Sequence, residues 1–216
     1  MILELERLSK AFGSVKVADS IDLAVPAGSA LGIIGPNGAG KTSLFNLISG
    51  ALRPDGGTIR LDGRDITRAS TRARARAGIA RSYQIPQPFV SLSVFENLLV
   101  AAIFAGRRRE AEINRDCGDI LADTGLLALA TAPRLLLLDE IAGGLTEAET
   151  HLLVETVRRI KAAGVTIVWI EHIVHALIAV VDRLLVLDFG RKIVEGEPRS
   201  VMASTEVREI YLGIEA

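Results

Sequence analysis

The sequence predicts an α/β fold built on a parallel sheet, and three observations carry that reading. The short apolar runs "ALGII", "RLLLLDE" and "VTIVWIEH" have the character of strands covered on both faces. Stretches with helical periodicity separate them, so strand and helix alternate through the middle of the chain. The first run leads into "GPNGAGKTS", Gly35–Ser43, a glycine-rich loop between a strand and a helix.

Taken in order, "ILELERL" and "SIDLAV" alternate apolar and polar residues and read as half-buried strands, the second ending at the "PAG" turn. After "ALGII" and the glycine loop, Ser43–Ser49 reads as a helix closed by Gly50. The turn residues of "PDGG" and "LDG" bracket "TIRL" as a hairpin. Arg68, Arg72, Arg74, Arg76, Arg81 and Arg107–Arg109, several of them spaced among alanines, read as a solvated helix face rather than a nucleic-acid patch. "ENLLVAAIFAG" reads as a helix, and more helix follows the polar "RRREAEINRD" to about Leu129. In "TEAETHLLVETVRRIKAAG" the capping-box spacing of Thr146 and Glu149 starts a helix and Gly164 stops it. Its predicted buried face is Leu152, Leu153, Thr156, Val157 and Ile160. "LLVLDFGRKIVEGEP" reads as a hairpin turned at Gly190.

The totals narrow the function classes. With 49% apolar and 24% charged residues, 216 residues suffice for a packed domain, alone or with a small lobe, and the composition argues against disorder. A net charge of -1 argues against a chain-wide grip on nucleic acid. No run of 18 apolar residues exists to span a bilayer, and "MILELERLSK" lacks the apolar core of a signal peptide. The single cysteine, Cys117, excludes an internal disulfide and fits a reducing cytosol; its reading is a small buried side chain.

The chemistry begins at the loop. Gly35-x-x-x-x-Gly40-Lys41-Thr42 is the P-loop pattern in its required context, a buried strand before and a helix after. Glycines let successive backbone N–H groups turn inward on phosphate oxygens, and the helix adds its positive end. Gly35, Pro36, Asn37, Gly38, Ala39, Gly40, Lys41, Thr42 and Ser43 are therefore candidate nucleotide-binding residues. Within that set, Lys41 neutralises the β and γ phosphates and the Thr42 hydroxyl goes to Mg²⁺. "LLLLDE" supplies the acidic pair that such a loop needs: Asp139 to hold Mg²⁺ and Glu140 to polarise the water attacking the γ-phosphate. "DFG" at Asp188–Gly190 lacks the other kinase motifs and reads as a hairpin turn. A guanine-reading Asn-Lys-x-Asp string is also lacking.

With these motifs the sequence resembles, over nearly its whole length, the ATP-binding subunits of ABC transporters. The resemblance implies a RecA-like P-loop core, an antiparallel β lobe and a small helical lobe, roughly residues 86–130, in a single domain of residues 1–216. It implies ATP and Mg²⁺ as ligands and ATP hydrolysis as the activity. Phe12, in "SKAFGSVKVADSIDL", matches the aromatic on which that family stacks adenine, with a core phenylalanine as the alternative. Gln84, in "ARSYQIPQPF", matches the glutamine whose amide reaches the metal and the attacking water. His172, in "VWIEHIV", matches the switch histidine that contacts the γ-phosphate, with a strand-edge histidine as the alternative. "AGGLTEAE" looks like the D-loop that meets the other protomer, although Ile141 stands where a proline is usual.

"RARARAGIARSYQ", "SLSVFENLLVAA", "WIEH", "GRKIVEGEP" and "REIYLG" together look like the ATPase subunits of branched-chain amino acid importers, with lipopolysaccharide-export ATPases as close relatives. Such a subunit works at the cytoplasmic face of the inner membrane. It is peripheral, pairs with an identical or paralogous ATPase, and drives transmembrane permease subunits. Residues from about Pro86 to Ala105 are expected to face the permease; the apolar stretch Leu98–Phe104 suits that face and a core helix equally.

One family motif is missing. A Leu-Ser-x-Gly-Gln-like signature should open a helix shortly before the acidic strand, yet the chain runs "ADTGLLALATAPRLLLLDE". The break falls near Ala130–Thr131, so the helical lobe reads as truncated. Either the gene carries an in-frame deletion, or a stretch of the protein is absent from this sequence; the intact remaining motifs favour the second. A true deletion predicts a nucleotide-binding module that does not turn over.

Overall fold

The computed structural model describes residues 1–82, 91, 97, 100 and 132–212. Strand β1 (Leu3–Phe12) pairs antiparallel with β2 (Val15–Val25) and with β4 (Gly56–Leu61), and β4 pairs with the short β5 (Arg64–Asp65). This is the antiparallel lobe, in the order β2-β1-β4-β5. The second sheet runs β10-β9-β3-β8-β7-β6. It comprises β3 (Ala30–Ile34), β6 (Ile79–Arg81), β7 (Leu135–Asp139), β8 (Thr166–Ile170), β9 (Arg183–Asp188) and β10 (Arg191–Gly196). Its first five members are mutually parallel, and β10 closes the edge as an antiparallel hairpin with β9.

The parallel strands are continuous apolar runs because both faces are covered, as expected from sequence. Leu135, Leu137, Val168, Ile170, Leu185 and Leu187 face helix α1 (Lys41–Ser49) and the antiparallel lobe. Leu136, Leu138, Ile167, Trp169, Leu184 and Val186 face helix α3 (Glu147–Ala162) and the short helices α4 (Val174–Ile178), α5 (Pro198–Met202) and α6 (Thr205–Leu212). Helix α2 (Thr71–Arg76) lies between the two lobes in sequence. Among the described residues, no helix is long and apolar enough to cross a membrane.

The expected hairpins and helix ends form. Phe189 and Gly190, with φ of 41° and 75°, make the β9–β10 turn, the backbone a two-residue hairpin requires. Gly50 closes α1, which starts two residues earlier than read, at Lys41. Both hydrogen bonds of the Thr146–Glu149 capping box are present. Two readings are corrected. Leu152 is 69% exposed and Val154 is buried. Leu152 lies five residues from buried Val157, about 140° round the helix, so the apolar stripe runs through Thr150, Val154, Val157 and Ile160 instead. Arg68, Arg72 and Arg76 are exposed as expected, but Arg74 is 1% exposed and the Arg81 side chain is 6% exposed. Both find polar partners inside, so periodicity alone misplaced them. The helical lobe of 86–130, Cys117, Arg107–Arg109, the Pro86–Ala105 face and the Ala130–Thr131 junction lie outside the described residues.

Candidate nucleotide site

Every described candidate except Phe12 belongs to the carboxyl ends of the parallel strands, where α/β sheets bind ligands. Strand β3 delivers Gly35 so close to β9 that a Cβ there would overlap the Leu187 carbonyl. At the other end of the loop, Gly40 has φ 99° and a Cβ would overlap the Val17 carbonyl of β2. Both ends of the loop are thus pressed against neighbouring backbone. Between them the Ala39 carbonyl accepts from the Gly190 N–H at 2.9 Å, which ties the loop to the β9–β10 turn. Asn37, Gly38 and Thr42 are exposed, and Pro36 and Ser43 are half-buried.

Lys41 sits beneath this loop, 6% exposed. Its Nζ donates to the Gly35 carbonyl at 2.7 Å and the Pro36 carbonyl at 3.0 Å. Burial pulls its pKa below the usual lysine value, while Glu140 and Asp139 act to raise it. A desolvated ammonium held by carbonyl dipoles gains when an anion's oxygens reach it, an arrangement that suits phosphate.

Asp139 ends β7 and is 5% exposed. Its Oδ2 meets the Arg81 guanidinium at 2.6 Å, and its N–H donates to Ser82 Oγ at 3.2 Å. The same guanidinium donates to Asn46 Oδ1 of α1 at 2.6 Å and lies 5.6 Å from the centre of the Phe45 ring. Arg81 therefore ties the P-loop helix to the acidic strand. Glu140 follows with φ 49°, a left-handed conformation that non-glycine residues adopt at a cost, and its N–H donates to the Ile170 carbonyl at 2.9 Å. Glu140 Oε1 lies 2.7 Å from His172 Nε2, so the candidate water-polarising acid and the candidate switch histidine meet directly.

Phe12 is 54% exposed, so the alternative of a core phenylalanine falls; Lys10 Nζ lies 5.3 Å from its ring centre. Its open face suits stacking by a planar base. Gln84 lies outside the described residues. Sequence reasoning missed Arg81, Asn46 and Glu171. Arg81 had a signal in ending the "IAR" strand beside "LLLLD"; Glu171 had one in being a charge at the end of "VTIVWI". Asn46 had none.

A magnesium nucleotide suits these donors. Mg²⁺ takes hard oxygens from few protein groups and completes its shell with phosphate and water. The Thr42 hydroxyl is exposed at the start of α1, and the Asp139 carboxylate already faces a cationic group. Among the described residues, no cluster of three or more His, Cys, Asp or Glu forms an all-protein metal cage.

Known proteins resemble this chain in sequence and in fold. A family model described as ABC transporter matches residues 18–130. The high-affinity branched-chain amino acid transport ATP-binding protein BraF of Pseudomonas aeruginosa is 31% identical, with 98% of each chain covered. That alignment runs over 249 positions, longer than these 216 residues, so the relative carries residues without a counterpart here. The Nod factor export ATP-binding protein I of Paraburkholderia xenovorans is 32% identical over 97% of this chain and 76% of its own. The crystal structure of an ABC transporter's ATP-binding cassette in its ADP conformation superposes with a TM-score of 0.88 at 30% identity, covering 99% of both chains.

Proposed function

We propose, from the premise that this chain belongs to the ABC transporter family of ATP-binding cassettes, that it binds Mg-ATP and powers an importer for branched-chain or related amino acids. The observation that carries the reading is the gathering of Lys41, Asp139, Glu140 and His172 around the tip of one sheet. Lys41 exchanges its carbonyl partners for phosphate oxygens, and the loop's N–H groups and the start of α1 bind the rest. Thr42, Asp139 and Gln84 would hold Mg²⁺, which would supply positive charge beside the phosphates. Glu140 and Gln84 orient the attacking water, His172 contacts the γ-phosphate, and Phe12 stacks on adenine. Dimerisation with a second ATPase subunit and docking on permease subunits complete the proposal, which places the protein peripherally at the cytoplasmic face of the membrane. Segments similar to those of importers favour import, although exporters stand among the similar proteins.

Calorimetry tests the binding. Mg-ATP is expected to release heat on mixing with the wild-type chain and none with K41A; no heat with either protein would overturn the reading. Co-purification with permease subunits tests the coupling. A second reading, a module that binds nucleotide without turning it over, rests on the missing signature string. The mass of the native chain separates the two: 23.1 kDa selects the second reading. A mass larger by more than about two kilodaltons, enough for some twenty residues, restores the first.

A further inference from the structure

Glu171 follows β8 directly and is 2% exposed, a buried carboxylate with no part in the chemistry proposed above. Both of its oxygens are engaged by backbone. Oε2 accepts from the Ala142 N–H at 3.0 Å, in the turn after Glu140. Oε1 accepts from the His172 N–H at 2.9 Å. The side chains of Glu140 and His172 meet at 2.7 Å, so these contacts close a ring. It runs from Glu140 through the peptide to Ala142, across Glu171 to the His172 backbone, and through the imidazole back to Glu140.

The ring encloses the one strained residue of the acidic pair. Glu140 has φ 49°, and such a backbone persists only where its surroundings fix it on several sides. The ladder bond from its N–H to the Ile170 carbonyl fixes one side, and the Glu171 clamp on Ala142 fixes the other. We propose that Glu171 is a positioning residue, a carboxylate clamp that sets the turn after Glu140 and the backbone of His172 together, so that both side chains face a bound γ-phosphate in fixed relation. The proposal rests on the nucleotide-site reading above. It makes the D-loop turn and the switch histidine one mechanical unit, so that a displacement of either is felt by the other.

The test uses E171Q, which keeps the volume but turns an amide NH₂ toward one of the two backbone donors, and E171D, which is one methylene too short to span both. E155Q, on the exposed face of α3, is the control. Residue-resolved amide exchange on the nucleotide-free protein should show E171Q losing protection at Ala142 or His172 by about tenfold or more, with the amides of β8 unchanged. In calorimetry, E171Q should lower the preference for Mg-ATP over Mg-ADP by about fivefold or more, leaving Mg-ADP affinity within about twofold, a split that general loosening would not produce. E171D should fall between wild type and E171Q. A folded E171Q with both protection and nucleotide preference unchanged would overturn the proposal. Failure of the wild-type chain to bind any nucleotide would sink the proposed function alone, since the exchange measurement decides the clamp without ligand.

Discussion

At the scale of single residues, the buried charges of the site are of two kinds, one with partners that can be exchanged and one locked in a pair. Lys41 rests on two carbonyls of its own loop, neutral partners that phosphate oxygens can replace. Arg81 and Asp139 form the opposite case, a tight pair with side chains only 6% and 7% exposed. Removing one partner leaves the other charged in low dielectric, so R81M is expected to destabilise the protein by about 3–5 kcal/mol. Adding D139N to R81M removes the stranded carboxylate and should recover much of that loss. Denaturant melts of the two single variants and the double variant check the coupling. A double variant as unstable as the sum of the singles would mean that the pair contributes no more than shape.

The elements around the site are held at their ends by side chains, and sequence revealed some of these better than others. The C-terminal carbonyls of α1 are capped by Arg74, whose guanidinium donates to Leu47, Ile48, Thr67 and Ala69. Burial lowers its pKa from the usual arginine value, and its four acceptors are backbone dipoles rather than an acid. R74M should therefore cost about 3 kcal/mol, and R74K should recover only part, because an ammonium cannot reproduce the guanidinium fork. Thermal melts decide it. At the start of α3, Thr146 holds the Glu149 carboxyl below its ordinary value of 4.5. A depressed acid stabilises the fold above that unfolded value and loses its contribution as pH falls through the folded one. Wild type should thus exceed E149Q in stability at neutral pH, and the gap should close on acidification below 4.5. The α3 cap was legible because Thr146 and Glu149 are local in sequence; the Arg74 cap was not, because its acceptors include Leu47, 27 residues away. The same distinction runs through the site. Lys41, Asp139 and Glu140 stand next to glycine or apolar patterns that announce them, whereas Arg81 and Glu171 are defined by contacts between strands that only the sheet order β8-β7-β6 brings together.

At the scale of the whole molecule, the proposed nucleotide site is one half of a shared site, and the string expected for the complementary half does not occur in the sequence. Strands β3, β7 and β8 lead to Lys41, Asp139, Glu140 and His172 at the carboxyl end of the parallel sheet. In the family that this chain belongs to, the γ-phosphate is capped from the other subunit by backbone amides of the signature segment, and no such string occurs here. Each amide lost from a charged phosphate oxygen removes about 1.5–3 kcal/mol, and each 1.36 kcal/mol is about tenfold in rate. Two or three lost contacts thus remove about two to six orders of magnitude of turnover, while the proposed P-loop contacts to nucleotide stay in place. A mass-verified chain of 216 residues should therefore bind Mg-ATP in a calorimeter yet remain monomeric with ATP in sedimentation, and release phosphate at close to the background rate. Grafting a relative's signature segment between Ala130 and Thr131 should restore both the ATP-dependent dimer and the turnover, because Lys41, Asp139, Glu140 and His172 already stand at the carboxyl ends of the parallel strands. Brisk steady-state hydrolysis by the ungrafted chain would show that some other group caps the γ-phosphate, and the two-subunit account of this site would have to be abandoned.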